Sequence, residues 1–507
     1  MRSKYIIKNT LLSILEQFVI IISGFILPRL LLKYYGSQYN GLITSITDFL
    51  SCAVLLRSGI GGATRAALYK PIADNDHKEI SRIIKATDNF MKKIGLILLL
   101  LILIFSLIYP LIVKNDFNYF FTFSLFLIIG ASTFAESFFG ITYLILLQAD
   151  QKLWISSLFK IVSYIVNIII SIVLIVNNFD IRIVKFASSL IFTLYPIMLG
   201  FYVKRRYKID KNVIPNNEAI KQRWDAFWHQ VSSFVMNNTD TFVLTLFTNM
   251  FEVSVYCIYN LVFKALKQVI VTIENSLESS FGDMLAKKEN IKNNFEIMNL
   301  LNFNLSTILY GCTSVLIFKF VSIYTNNVSD VNYYRPIFAY IMLLSNYIYC
   351  LRLPYLTIVS AAGHYKETKK GAFLEAFINL LLSVILVVRY GIIGVAIGTL
   401  ISTTIRTVEL VLYSNHIIIK SSNKEFIKNL LISLSEIIII IFLNYIVPLG
   451  ECNNYFSFIF QGVIYFCLLL IIIIINDLLI YKKYILTFMN KIKIVFKKSN
   501  KCNVSNI

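Results

Sequence analysis

Seven polar residues recur within one apolar run at a spacing that groups them. Asn260, Lys264, Lys267, Gln268, Glu274, Asn275 and Glu278 lie between positions 254 and 284. At about 100° per residue they fall within an arc of about 120° on one helix face. An ionisable group at bilayer depth costs roughly 2.5–3.5 kcal/mol on insertion scales, so such groups face protein or water. The stripe therefore either lines an aqueous cavity or pairs with another helix. Lys–Glu contacts along the helix itself account for part of it.

Other apolar runs carry charges too. Arg29, Asp48, Arg57 and Arg65 stand in the first two, and Lys160, Arg352 and Arg406 are further cations. Glu16, Glu136, Asp240, Glu375, Glu409 and Glu436 are acids suited either to pairing with them or to carrying protons. Thr44, Asp48, Ser51, Ser58 and Gly62 share a helix face, and Arg57 points the other way. Arg29 and Arg65 stand near the ends of their runs, where a long side chain can reach the interface; Arg57 lies deeper. Arg and Lys in a low-dielectric site bind phosphate strongly, Arg in a forked, bidentate manner. An anionic substrate is expected, with a phosphate or diphosphate and a carboxylate both compatible with these groups.

The elements that must hold these residues are membrane helices. The chain has 507 residues, 57% of them hydrophobic, a mean hydropathy of +0.70 and 15% charged residues, where soluble domains run near a quarter charged. Apolar runs long enough to span hydrocarbon are expected near 9–33, 42–66, 94–113, 118–147, 154–177 and 183–203. A second set lies near 229–249, 254–284, 300–324, 334–361, 371–389, 391–414, 427–448 and 457–481. The first run is too long for the apolar core of a cleavable signal and leads into PRLLLKYYG rather than small residues. An all-α integral membrane protein of about fourteen transmembrane helices is the fold class these runs imply.

Loop charges orient the map. With the N-terminus inside, the inside segments hold dense basic runs, such as Lys78, Arg82, Lys85, Lys92 and Lys93, or Lys204, Arg205, Arg206 and Lys208. The outside segments hold only Lys33, Lys114, Arg182, Lys185, Arg335 and Arg389. One missed span would invert the pattern downstream of it, and the bias holds to the end. Both termini are expected to be cytoplasmic. The net charge of +20 is then a matter of orientation, and nucleic acid is not an expected partner. The seven cysteines occur singly, no metal-ligand spacing is present, and the four histidines fall in or beside inside segments.

The most polar interior segment, 204–228, divides the runs six and eight. The expected layout is an N-terminal lobe at 1–203, a cytoplasmic linker at 204–228 and a C-terminal lobe at 229–414. Two extra helices follow at 415–481, and a basic cytoplasmic tail occupies 482–507. The lobes look related. QADQKLW at 148–154 and AGHYKETKK at 362–370 occupy matching places, and aligning Ala149 with Ala362 gives an offset of 213. The same offset brings Ala73 onto Ala286. Repeats of even span number are parallel, a common plan among secondary transporters.

Two stretches carry a resemblance. LPRLLLKYYGSQYNGLITSITDFLSCAVLLRSGIGGATRAALYKPIADNDHKEISRI (27–83) resembles the first two spans and following loop of bacterial polysaccharide-transport flippases. GIIGVAIGTLISTTIR (391–406) is similar to their twelfth span. These proteins belong to the multidrug/oligosaccharidyl-lipid/polysaccharide exporter superfamily. The resemblance implies two parallel six-helix lobes around a V-shaped central cavity, with two helices added. It implies a flippase that turns an undecaprenyl-diphosphate-linked oligosaccharide from the cytoplasmic to the outer face of the bacterial inner membrane by alternating access. O-antigen, capsule or exopolysaccharide would be the product. A proton or sodium gradient, or the membrane potential, would drive transport, with no cofactor. Membrane lipids, polysaccharide polymerase and chain-length proteins are the implied partners of a transporter acting as a monomer. Arg57, Lys264 and Lys267 are then the leading candidates for diphosphate contact, with Arg29, Arg65 and Arg352 after them. Asn260, Gln268, Glu274, Asn275 and Glu278 form the polar cavity face, and Asp48, Glu136 and Asp240 are the coupling or gating candidates.

Rival readings share the chain's features to different degrees. A multi-pass polymerase or glycosyltransferase needs a sizeable outer loop for catalysis, and no expected outer loop exceeds about ten residues. No catalytic residue is assigned. A lipid II flippase needs the same cationic passage, so it stands as the alternative. A drug exporter of the superfamily would favour an acidic site for cationic compounds.

Overall fold

The computed structural model describes residues 2–58, 60–113, 115–207, 209–210, 212–218, 238–452 and 454–480. The described residues form helices and connecting turns. α1 (Arg2–Tyr35), α2 (Ser37–Ser58), α3 (Ile60–Ala73) and α4 (His77–Ile112) come first. α5 (Tyr119–Ala135) continues through a π-helical turn at Glu136–Gly140 into α6 (Ile141–Ala149). α7 (Leu153–Val176), α8 (Ile181–Arg206), α9 (238–247) and α10 (Met250–Ala286) follow. Then come α11 (Lys292–Tyr324), α12 (Pro336–Leu351), α13 (Leu353–Ala361) and α14 (Tyr365–Tyr390). α15 (Ile392–Tyr413) ends in a second π turn (Ser414–Ile419), and α16 (Lys424–Ile446) and α17 (Tyr455–Ile480) complete the chain.

Among the described residues, twelve helical segments are long and apolar enough to cross a membrane, and the chain is a multi-pass membrane protein. The expected second span is covered by α2 and α3, described on either side of residue 59. Of the expected seventh span, only 238–249 belongs to the described residues; the expected tail at 482–507 lies outside them altogether. Surface character follows the solvent. On α4, Leu96, Leu100, Leu103, Leu107 and Leu111 form an exposed leucine stripe, while Ile94, Leu98, Ile102 and Tyr109 are buried. In water that stripe would be a liability; in lipid it is the outer wall.

By packing, the chain divides into two compact units. The first comprises Met1–Leu261, Asn327–Asn332 and Asn379–Val395; the second comprises Val262–Asn326, Tyr333–Ile378 and Ala396–Ile507. Within the first, α1 packs on α7, α7 on α8, α4 on α5, and α3 on α4 and α6. Within the second, α11 packs on α12, α16 and α17.

The backbone carries a repeat. Asn75 and Lys288 both take left-handed φ of 54° at a helix end, 213 positions apart. Asn178 (φ 57°) and Gly391 (φ 56°) recur at the same offset. Gln151 (φ 56°) and Gly363 (φ 73°) miss it by one residue. A left-handed residue lets a helix stop and the chain reverse, so its recurrence marks the same corner built twice. Adding the offset to the π turn at 136–140 gives 349–353, where α12 breaks into α13 at Arg352.

Candidate functional site

The motif YGS..NG at 35–41 knits the first unit together. Gly36 adopts φ +90°, which lets α1 turn into α2. The Asp330 carboxylate then holds the start of α2: the Ser37 amide donates to it at 2.7 Å and the Ser37 hydroxyl at 2.6 Å. Asn40 donates to Ser254 at 2.9 Å, and the backbone of Met250 lies against Gly41 so closely that a Cβ there would overlap its carbonyl. Tyr35 donates to the Phe179 carbonyl at 2.6 Å. The related stretch at 68–76 is structural as well. Leu68 is buried, and the Asp76 carboxylate caps α4 by accepting the amides of Lys78 and Glu79 at 3.1 and 3.0 Å.

A chain of polar contacts runs along α2 in this unit. Thr44 donates to the Cys257 sulfur at 3.3 Å, Ser45 bonds Thr245 at 2.7 Å, and Tyr109 donates to Ser45 at 2.7 Å. Ser51 donates to Asn238 at 3.3 Å. Asp240 is buried and accepts from the Tyr256 hydroxyl at 3.0 Å; Asp48, half-buried, lies within electrostatic reach of the same tyrosine. The structure thus brings two of the three gating candidates to one polar cluster. The third, Glu136, opens the π turn and lies within electrostatic reach of Tyr164, together with the Lys160–Glu16 ion pair at 3.2 Å. Arg65 donates to Gln148 at 3.2 Å, and Arg29 is half-buried in α1. Arg57 belongs to α2, with its side chain outside the described set; Asn260 is half-buried in α10.

In the second unit the polar stripe of α10 has two edges. On one, the Lys267 ammonium sits 4.6 Å from the Tyr349 ring centroid, and buried Glu274 accepts from Thr357 at 3.4 Å. On the other, Lys264, Gln268 and Asn275 are exposed, and Gln268 contacts Thr272 at 3.4 Å on its own helix. Glu278 is half-buried. The stripe is thus packed along one edge and exposed along the other.

Beside that packed edge lies a buried ion network. Arg352 and Arg406 are each 5% exposed and Glu375 is 4% exposed. Arg352 pairs with Glu375 at 2.5 Å, while Arg406 pairs with Glu409 at 2.7 Å and approaches Glu375 at 3.9 Å. Arg406 also donates to the Thr368 carbonyl at 3.0 Å. Arg352 lies 4.3 Å from the Tyr349 ring centroid, which places Tyr349 between two cations. Gly371 makes room for Glu409, whose carboxylate occupies the space a Cβ there would need. Nε of Arg352 is buried without a hydrogen-bond partner. Arg352 stands at the break between α12 and α13, which Pro354 in the first turn of α13 marks in the sequence.

The sequence reading missed a second polar seam. Asn476 donates to buried Glu436 at 2.7 Å, Asn304 to Asp477 at 2.6 Å, and Lys319 to Gln461 at 2.7 Å. Apart from the adjacent Asn476 and Asp477 these residues lie on separate stretches of apolar runs, so only the fold unites them. Among the described residues no group of three or more His, Cys, Asp or Glu side chains comes together as metal ligands.

No protein-family model matches the chain, and no curated protein sequence matches it either. Solved structures do. The chain is similar to a lipid II flippase, MurJ, in an inward closed conformation, with a TM-score of 0.71 and 18% identity. That match covers 94% of this chain and all of the other. An inward-facing multidrug resistance transporter of the MATE family, from the MOP superfamily, aligns with a TM-score of 0.56 and 13% identity, over 82% of this chain and 94% of its own. A Vibrio cholerae MATE transporter in its bent form aligns with a TM-score of 0.54 and 15% identity, over 84% and 99%. At these identities the likeness is one of fold, and the fold of this chain is that shared by the MurJ flippase and the MATE transporters.

Proposed function

We propose that this protein is a flippase that turns undecaprenyl-diphosphate-linked oligosaccharide units from the cytoplasmic to the outer face of a bacterial inner membrane, for surface polysaccharide assembly. The observation that carries this reading is the extent of the likeness to the lipid II flippase, 94% of the chain against 82–84% for the multidrug transporters. That difference, about a tenth of the chain, is the size of the α16–α17 pair. The proposed mechanism is alternating access, in a monomer whose termini the loop charges put in the cytoplasm. Its driving force would be a proton or sodium gradient or the membrane potential; polymerase and chain-length proteins would act on the delivered units. The cations suit a diphosphate. Arg352 retains an unfilled donor, and Lys264 and Gln268 stand on the exposed edge of α10. Asp240, which Tyr256 holds by a hydrogen bond, and Asp48, within electrostatic reach of the same tyrosine, are the proposed coupling pair.

Deleting the gene is expected to trap undecaprenyl-diphosphate glycan on the cytoplasmic side and to abolish surface polysaccharide. Unchanged surface polysaccharide, in a strain with no second flippase, would overturn the proposal. Lys264→Ala is expected to slow translocation in proteoliposomes while insertion and yield stay normal. The fold match to a lipid II flippase favours a second reading, in which lipid II is the cargo. Depletion would then accumulate lipid II and arrest wall synthesis, with surface polysaccharide lost only as a consequence.

A further inference from the structure

The first unit contains a cleft that the transport reading does not use. It has a volume of about 390 Å³ and lies among α4, the π turn and α8. Its construction starts from three backbone features. The π turn at Glu136–Gly140 widens the helix locally. Pro196 interrupts α8 opposite Gly140, where a Cβ would overlap the proline ring. Gly200 then admits the Tyr143 ring.

The lining is amphipathic along one direction. Phe138, Phe139, Pro196, Ile197 and Phe201 form apolar walls, and Lys92 and Lys204 stand at the rim. Phe139 is 42% exposed and Phe201 65% exposed, so the walls open outward from the unit. The apolar run of α4 begins at Ile94 and that of α8 ends at Val203. Lys92 and Lys204 therefore mark one boundary between apolar and polar surroundings. Asp88 pairs with Lys92 at 2.7 Å and neutralises one charge. Lys204 lies over the Tyr143 ring at 5.7 Å, and exposed Lys93 and Arg205 adjoin the rim. The rim is net positive. The repeat supplies a contrast: at the 213 offset Phe139 and Pro196 correspond to Arg352 and Glu409, members of the second unit's ion network. The first copy leaves open and apolar a place that the second fills with ion pairs.

From this cleft we infer a binding site for an anionic phospholipid of the leaflet on the basic-loop side. The headgroup phosphate meets Lys204 and Lys92, and the first part of one acyl chain lies along Phe138, Phe139 and Phe201. A free phosphate would gain nothing from those rings. A zwitterionic lipid would gain little from the basic rim, whereas each basic group near an anionic surface adds attraction.

The test uses the full chain in phosphatidylcholine nanodiscs with added phosphatidylglycerol, counting retained lipid by native mass spectrometry. Wild type is expected to keep one phosphatidylglycerol per chain that phosphatidylcholine does not replace. Lys92→Gln/Lys204→Gln is expected to bind it about thirtyfold more weakly, and Ile197→Trp, which fills the cleft without altering charge, to lose it. Lys366→Gln, at a basic position elsewhere, is expected to keep it. Retention by both cleft variants would overturn the inference, as would displacement of the lipid by excess inorganic phosphate. Because the lysines are exposed, their substitution leaves the packing intact, and that arm decides if Ile197→Trp fails to fold. The site does not rest on the flippase reading, and a transport-dead variant should still bind.

Discussion

Arg352, Glu375 and Arg406 are held out of water, with Glu409 half-exposed beside them, and this governs what a substitution does there. Truncating Glu375 strands the Arg352 guanidinium, which is 5% exposed. Removing one partner of a buried pair costs about 3–5 kcal/mol, because the remaining charge stays desolvated. Glu375→Ala should therefore lower the thermal midpoint in detergent markedly. Arg352→Met/Glu375→Leu removes both charges and should recover most of that loss, since Arg406 keeps its closer partner Glu409. The pair of variants separates two roles for Arg352. A stable double variant that still transports makes Arg352 a structural residue; a stable one that does not makes it a substrate contact. The sequence marked Arg352 as a buried cation and Glu375 as a buried acid. It could not join them, because 23 residues and a helix break separate the two and no local period links them.

At the scale of elements, helix ends and close approaches carry the specificity. Gly41 lets the backbones of α2 and α10 meet in the first unit, and Asn40 and Thr44 bond across that seam. Gly41→Ala pushes a methyl into a carbonyl that cannot move aside as a side chain would. Overpacking of this kind costs about 1–3 kcal/mol, and a thermal scan should show the loss without any change in charge. Asp180 controls another end. It caps α8 through the Arg182 amide at 2.8 Å and grips the Arg182 guanidinium at 3.0 Å. Those hydrogen bonds hold its carboxyl below the ordinary carboxylate range. Its folded-state value is depressed, so its contribution is present above the unfolded value near about 4 and fades as pH falls through the folded value. Asp180→Ala should cost about 1 kcal/mol at neutral pH, with the difference from wild type shrinking in acid. Urea titrations at both pH values would check it. The recognisable YGS and LYKPIA stretches prove to be such joints and caps. That is why they were legible: a turn or a close approach needs one residue type at one place, whereas a charged passage tolerates many arrangements.

At the scale of the whole molecule, the apolar runs were readable because hydrocarbon demands about 20 such residues at a stretch. Residues 37–58 and 60–73 are helical across the expected second run, which agrees with that reading. The offset of 213, visible in two alanine matches, returns in the backbone as left-handed corners at Asn75 and Lys288 and at Asn178 and Gly391. This repeat makes a prediction about sidedness. A duplicated unit with an even number of spans keeps its orientation, so both members of a pair must emerge on one face of the membrane. The basic residues flanking Asn75 and Lys288 place that pair inside by the positive-inside rule, and Asn178 and Gly391 then lie outside. Alkaline phosphatase fused after 178 or 391 should be active, and fused after 75 or 288 inactive. Opposite results within either pair would mean an odd number of spans per unit. The repeat would then be inverted, and the charge alternation that orients the chain would lose its basis.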